Sequence, residues 1–260
     1  MPDDRLSRIQ DQFTRTAAVY ARMRQTTDER MLDALVAVCE PAPDARAADI
    51  ACGPGFLTLA LARRCARATG LDATDAFLEL ARAEAETRGQ RNVRFQQGNA
   101  ESLPFGDDSF ELVACRAAFH HFPRPERVLS EMARITAPGG RILVADLLGS
   151  EDPAQAELHD RIERLCDPTH ARALPKSEFA RLFSEAGLTL AREIESSLDY
   201  DLEEWIDHGA PAAAVRHQIT SLMESSIEGD PAGLRVRRES GRLRFSHRTA
   251  AFVLESTRQA

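Results

Sequence analysis

Lysine is almost missing from this chain: Lys176 stands alone among 33 basic residues, set against 41 acidic ones. The resulting net charge of −8 argues against a general nucleic-acid binder, which carries a basic surplus, and against docking on anionic lipid. The arginine bias, with abundant alanine, fits a GC-rich genome better than any activity. Cysteine is sparse and scattered. Cys39, Cys52, Cys65, Cys115 and Cys166 form no C-x-x-C pair, which excludes a disulfide scaffold and reads as reduced thiols. No apolar run reaches the roughly 20 residues of a membrane span, and the first residues lack the apolar core of a leader. A soluble, cytoplasmic protein without membrane insertion is expected. The seven histidines show no H-E-x-x-H or comparable ligand spacing, so no metal is expected.

What is present is an ordinary apolar content of 43% in 260 residues. A chain of that length can bury roughly 70–75% of its unfolded surface and form a single domain. Residues 4–39 read as helical, with Ile9, Phe13, Ala17 and Tyr20 recurring at three- and four-residue steps. Pro41 and Pro43 close that section. Strands are predicted over 47–52, 68–72, 92–96, 110–115 and 141–146, with helices over 56–68, 76–89 and 124–135 and a turn at Pro138-Gly139-Gly140. Such alternation makes βαβ units. Beyond Gly149 two helices, over 150–165 and 176–186, precede a strand within 188–201, two helical stretches within 201–228 and a last strand over 241–255. The fold class is therefore α/β: a doubly wound, Rossmann-like, mostly parallel sheet of seven strands. Helices cover both faces, and the last strand is antiparallel at one edge.

The segment Asp49-Ile-Ala-Cys-Gly53-Pro-Gly55 joins the first strand to its helix. Glycine there lets the backbone turn sharply or come close to a ligand, at the end of the sheet where doubly wound folds bind them. By itself G-x-G fits a tight turn equally well. Asp72 ends the next strand, where a carboxylate can accept hydrogen bonds from both hydroxyls of a ribose. Its other reading is a helix cap, but Asp75 suits that role better and would leave Asp72 to the ligand. The position of a third dinucleotide-site glycine holds Thr58, and no P-loop lysine follows. The pattern suits a nucleoside without phosphates.

These residues, with Gly98-Asn99-Ala100-Glu101, Leu103-Pro104-Phe105, Asp108-Ser109-Phe110-Glu111 and Pro138-Gly139-Gly140, resemble the class I S-adenosylmethionine-dependent methyltransferases. The likeness is nearest to the small-molecule branch of the ubiquinone/menaquinone-biosynthesis C-methyltransferases, which Arg116-Ala-Ala-Phe-His120-His121-Phe122-Pro123 also resembles. It runs over about residues 10–147 and continues loosely through 176–187. The resemblance implies that S-adenosylmethionine is the cofactor. It places Ala51, Gly53 and Gly55 under the methionine and sugar, and Asp49 at the amino end or the loop. Asp72 would hold the ribose, with Ala73, Asn99 and Ala100 at the adenine. Arg116 would add backbone to the methionine pocket. Asn99 stands where the family usually has Asp; an amide oxygen can still accept a hydrogen bond, without the charge. Tyr20 and Arg24 would close a lid over the methionine carboxylate, or the aromatic helix face simply packs on the sheet.

The implied organisation is one domain over 1–260: a helical lid (1–40), a cofactor-binding core (45–147), and acceptor-binding embellishments with the last strands (148–260). His121 and His120 follow the fourth strand, at the rim where the acceptor should sit; His121 is the candidate base that could take a proton from it, the other reading being that both wall the pocket. Asp152, Glu157, His159 and Asp160 read as a solvated helix face. Phe119, Phe122, Leu174, Phe179, Trp205, Ile206 and Met223 are candidates for an apolar acceptor pocket or for ordinary core. The expected partner is a small apolar or aromatic acceptor, with no nucleic acid, and a homodimer is allowed. The rival activities are a relative that binds the donor yet catalyses cyclisation or isomerisation, and an NAD-dependent dehydrogenase, which the missing glycine disfavours.

Overall fold

A computed structural model describes residues 4–256. The amino-terminal section expected to be helical is divided into three helices: α1 (Asp4–Tyr20), α2 (Arg24–Thr27) and α3 (Glu29–Ala37). Asp28 ends one helix and starts the next, its carboxylate accepting from the Met31 N–H at 3.1 Å. An N-cap of this kind satisfies a donor that the first helical turn cannot. The interruptions let α1 pack on α5 (Asp75–Thr87) and α9 (Leu202–Gly209), while α3 packs on α4 (Phe56–Ala62).

The core then alternates as expected. The strands β1 (Arg46–Ile50), β2 (Arg67–Asp72), β3 (Val93–Gln97), β4 (Phe110–Arg116) and β5 (Thr136–Leu147) pair in parallel. The helix α6 (Pro125–Ile135) precedes β5. The turn expected at Pro138-Gly139-Gly140 is absorbed into β5 as an irregularity, with Gly139 at φ +73° and a register shift against β4. The helices α7 (Pro153–Cys166), α8 (Lys176–Glu185) and α10 (Ala213–Ser225) accompany β6 (Leu188–Asp201), β7 (Arg237–Glu239) and β8 (Arg242–Ser256). The strand order is β3-β2-β1-β4-β5-β8-β6, with β8 antiparallel to both neighbours. Three-residue β7 adds a short eighth strand to the expected seven by pairing with β8.

Alternation along the strands divides the core. On β5, Ile142 and Val144 point to a face covered by Met132 of α6 and Phe179 of α8. Leu143 and Ala145 point to the opposite face, covered by Val36 of α3 and Leu61 of α4. A separate apolar cluster joins α7, α9 and α10 through Ile162, Trp205, Ile206 and Met223. Leu174, Phe119 and Phe179 pack in the first of these cores.

The order of connection reverses at β1, between β2 and β4, the switch point at which such sheets bind ligands. The β1–α4 turn there is unusual in its backbone: Ala51 (φ +56°), Gly53 (φ +52°) and Gly55 (φ +81°) all lie in the left-handed region. The two glycines differ. A Cβ on Gly53 would meet nothing within 4 Å, whereas one on Gly55 would lie 2.7 Å from the Ala81 Cβ and 2.9 Å from the Phe95 ring. Gly55 thus serves the close packing of α4 on its neighbours. The turn is also anchored from behind, because the Thr58 hydroxyl donates to the fully buried Asp49 carboxylate at 2.7 Å. Burial pushes the Asp49 carboxyl up to about 7, against the pull of the Thr58 hydrogen bond.

Two outcomes are expected. Gly55→Ala should cost roughly 2–4 kcal/mol in urea unfolding, from overpacking added to a left-handed alanine, and Gly53→Ala only about 1 kcal/mol. The folded pKa of Asp49 exceeds its ordinary 3.8, so the stability it contributes is fully present at low pH and is lost as pH rises toward and past 7. Between pH 5 and 8, without ligand, the melting temperature of the natural protein should therefore fall more than that of Asp49→Asn.

Candidate active site

A cavity of about 320 Å³ opens at the carboxyl ends of the parallel strands and runs from the β1–β2 side across to β8. That volume falls in the range of small-molecule sites, roughly 300–1,000 Å³. Gly53, Asp72, Ala73, Asn99 and Ala100 line it on one side, together with Ala51. Asp72 is engaged more than expected. Its two carboxylate oxygens accept from the Gly53 N–H and the Thr74 N–H, each at 2.8 Å, while Asp75 only occupies the first turn of α5. Burial raises the Asp72 pKa, and the bonds from Thr74 and Gly53 oppose that rise. A carboxylate oxygen has two lone pairs, so these bonds leave acceptor capacity for a diol. Nearby, the Ala73 carbonyl accepts from Gln10 and Gln97, both at 2.9 Å. Asn99 accepts from the Glu101 N–H at 2.9 Å, which folds its own loop.

Not every expected cofactor residue reaches the cavity. Asp49 and Gly55 stand behind the wall, in the hydrogen-bonding and packing roles described above. Arg24 is exposed on α2 and does not line the cavity, whereas its neighbours Met23 and Gln25 do. A helix presents adjacent residues in different directions, and the break before α2 turns Arg24 outward. The cations that line the cavity are Arg116, whose guanidinium donates to the Gln25 carbonyl, and Arg5. The Arg5 guanidinium donates to the His121 and Thr169 carbonyls at 3.2 and 3.0 Å. Tyr20 is at the cavity, its ring edge-on to Phe13 at 5.5 Å and to His208 at 5.4 Å. With the Gln12 amide donating to the Gly209 carbonyl at 3.2 Å, these contacts hold α1 against the rest of the fold.

His120 and His121 lie in a short 3₁₀ turn after β4, and both line the cavity. They differ in surroundings. Nδ1 of His120 lies 2.6 Å from Oδ1 of Asp146, at the carboxyl end of β5. That carboxylate also accepts from the Ala118 and Phe119 N–H groups at 2.8 and 2.7 Å. Burial lowers the His120 pKa, but the Asp146 carboxylate outweighs it and holds the ring above its ordinary value. His121 instead sits 3.2 Å from the Thr169 hydroxyl. Burial, then the adjacent His120, push its pKa down to about 3.

The far end of the cavity carries residues that spacing alone did not single out: Glu163 of α7, Tyr200 of β6, His208 of α9 and His247 of β8. His159, expected on a solvated face, is buried at 4% exposure. Of the other candidates for an acceptor pocket, Phe122 and Trp205 line the cavity.

Comparison with known proteins places the chain in a family. Residues 48–144 match the family model described as a methyltransferase domain. The uncharacterized methyltransferase YcgJ of Bacillus subtilis is 35% identical over 217 residues, 83% of this chain and 86% of that protein. Its crystal structure superposes with a TM-score of 0.83, covering 88% of this chain and 99% of that one. A ubiquinone/menaquinone biosynthesis C-methyltransferase of Allorhizobium ampelinum is 30% identical, over 65% of this chain and 66% of its own length. The [4+2]-cyclase SpnF shares the fold at a TM-score of 0.63 and 16% identity. With a methyltransferase-domain match and a methyltransferase relative 35% identical over most of both chains, the chain belongs to the class I S-adenosylmethionine-dependent methyltransferases.

Proposed function

We propose that this protein binds S-adenosylmethionine against β1, β2 and the loop after β3, and methylates a small molecule held toward β8. The observation that carries the reading is Asp72: a buried carboxylate in the cavity wall, fixed by two backbone N–H groups, with acceptor capacity left for a ribose. Ala73, Asn99 and Ala100 would flank the adenine, and Ala51, Gly53 and the Arg116 backbone the methionine part. The donor, when bound, supplies an activated methyl group on a sulfonium. The chain's work is then to align the acceptor and exclude water. The cover formed by α1, with Tyr20 at the cavity, suits the second task. Trp205, Tyr200 and Phe122 offer aromatic walls to an apolar or aromatic acceptor.

Where the acceptor must lose a proton, His120, rather than the expected His121, is the base. It carries the geometry of an imidazole oriented by a carboxylate, and its raised pKa gives it more proton affinity than an isolated ring. His121, with its pKa pushed down, serves as wall. A base works when neutral, so activity should decline as pH drops through the raised pKa of His120.

Asp72→Ala should weaken adenosylmethionine binding roughly 10–100-fold by titration calorimetry, the loss of a charge-assisted hydrogen-bond acceptor. His120→Ala should cut turnover roughly 10²–10⁴-fold while leaving donor affinity near the natural value, and should remove the acidic limb of the pH–rate profile. His121→Ala should keep that limb. Incubation of the protein with methyl-labelled donor and a cell extract should put label into a small organic product. Donor binding without label transfer would favour the cyclising or isomerising alternative.

A further inference from the structure

The cavity ends at a second cluster that methyl transfer as described does not use. His159 and Glu163 stand four residues apart on α7, which puts them on one helix face, and His247 reaches the same point from β8. Their ligand atoms all lie within 4.8 Å of one another, and all three residues are buried. The two Nε2 atoms converge on one carboxylate oxygen: His247 at 2.8 Å and His159 at 3.5 Å from Oε1 of Glu163. The rings stack with centroids 5.4 Å apart. Nε2 of His159 has no hydrogen-bond partner among the described residues, and an unpaired polar atom at such depth is costly enough to require an explanation.

We infer that His159, Glu163 and His247 form a binding site for one divalent transition-metal ion. Two imidazoles and one carboxylate are a borderline N/O donor set, suited to zinc or its first-row neighbours and unsuited to the all-oxygen preferences of calcium and magnesium. Ligand atoms about 2 Å from a metal lie roughly 3–3.5 Å from each other in a tetrahedral site. The two nitrogen–oxygen spacings, 2.8 and 3.5 Å, lie near that range, and all three ligand atoms fall within 4.8 Å of one another. An ion there would give the His159 nitrogen its missing partner. Glu163 and His247 line the cavity, so the open coordination position faces the acceptor end, as in metal sites with three protein ligands and one exchangeable position. The ligand class that follows is an acceptor bearing a hydroxyl or carbonyl oxygen. Bound to the ion, a hydroxyl would lose its proton more readily, which His120 could accept. The role in catalysis rests on the methyltransferase reading; the binding of metal does not.

The spacing His159-x-x-x-Glu163 is too common on helices to have suggested this, and the third ligand comes from 84 positions beyond Glu163. The test uses the full chain stripped with chelator and titrated with Zn²⁺, and separately with Co²⁺ as a spectroscopic probe. One ion per chain should bind, with the visible absorption of a low-symmetry Co²⁺ site carrying nitrogen ligands. His159→Ala, His247→Ala and the shape-conserving Glu163→Gln should each weaken binding more than roughly hundredfold. His217→Ala, at an exposed histidine, should leave it unchanged. Circular dichroism checks folding, and if an alanine variant unfolds, Glu163→Gln decides. No stoichiometric uptake of Zn²⁺ or Co²⁺, or uptake that survives Glu163→Gln, overturns the site and leaves the trio as a hydrogen-bonded relay. Adenosylmethionine titrated into the same samples reads the donor site separately, so failure of one does not resemble failure of the other.

Discussion

The carboxylate of Asp72 joins the two turns on which the β1–β2 side of the cavity is built. One oxygen holds the Gly53 N–H of the β1–α4 turn, the other the Thr74 N–H at the entry to α5. Both bonds are charge-assisted and partly or wholly out of water, where such bonds are strongest. They make neighbouring parallel strands present their carboxyl ends as one rigid edge. Behind it, Asp49 and Thr58 brace the first helix from within the core. That wall thus rests on a pair of carboxylates on adjacent strands, one facing the cavity and one facing away.

The opposite wall is assembled differently. Asp146 at the end of β5 gathers three backbone N–H groups and the His120 ring, so its position fixes the turn that carries both histidines. Beyond it, Glu163 of α7, Trp205 and His208 of α9 and His247 of β8 close the cavity, Trp205 packing also in a separate apolar cluster. On the proposed reading, the parallel half of the sheet holds the donor and the carboxy-terminal segments select the acceptor. Function on a common fold is expected to divide in this way.

The parallel core was legible because its signals are local. Buried β1, β4 and β5 are short apolar runs, and the glycine turn and Asp72 sit at the ends of strands. Less legible was anything that depends on which way a side chain turns. Arg24 points outward because the helix breaks before it, a break marked by no proline or glycine. Gly55 answers to the Ala81 and Phe95 side chains, 26 and 40 positions away, rather than to a ligand. His159 looked solvated because its neighbours Glu157 and Asp160 are polar, yet α7 turns that one position inward. Glu163 and His247 meet only once the long detour from β5 to β8 has been folded.

Ala51 and Ala117 share an uncommon feature. Both line the cavity, and both hold a backbone conformation, φ +56° and +52°, in which a methyl side chain is crowded by its own carbonyl. They occupy equivalent corners, just past the ends of β1 and β4, on either side of the switch point. The surrounding sheet imposes this discomfort, and tension kept in such corners is commonly tied to function. Evolution has left two small stiff elbows where a more pliant residue would have relaxed the chain. The two corners flank the groove at its floor, so the same turns that close β1 and β4 also shape its walls.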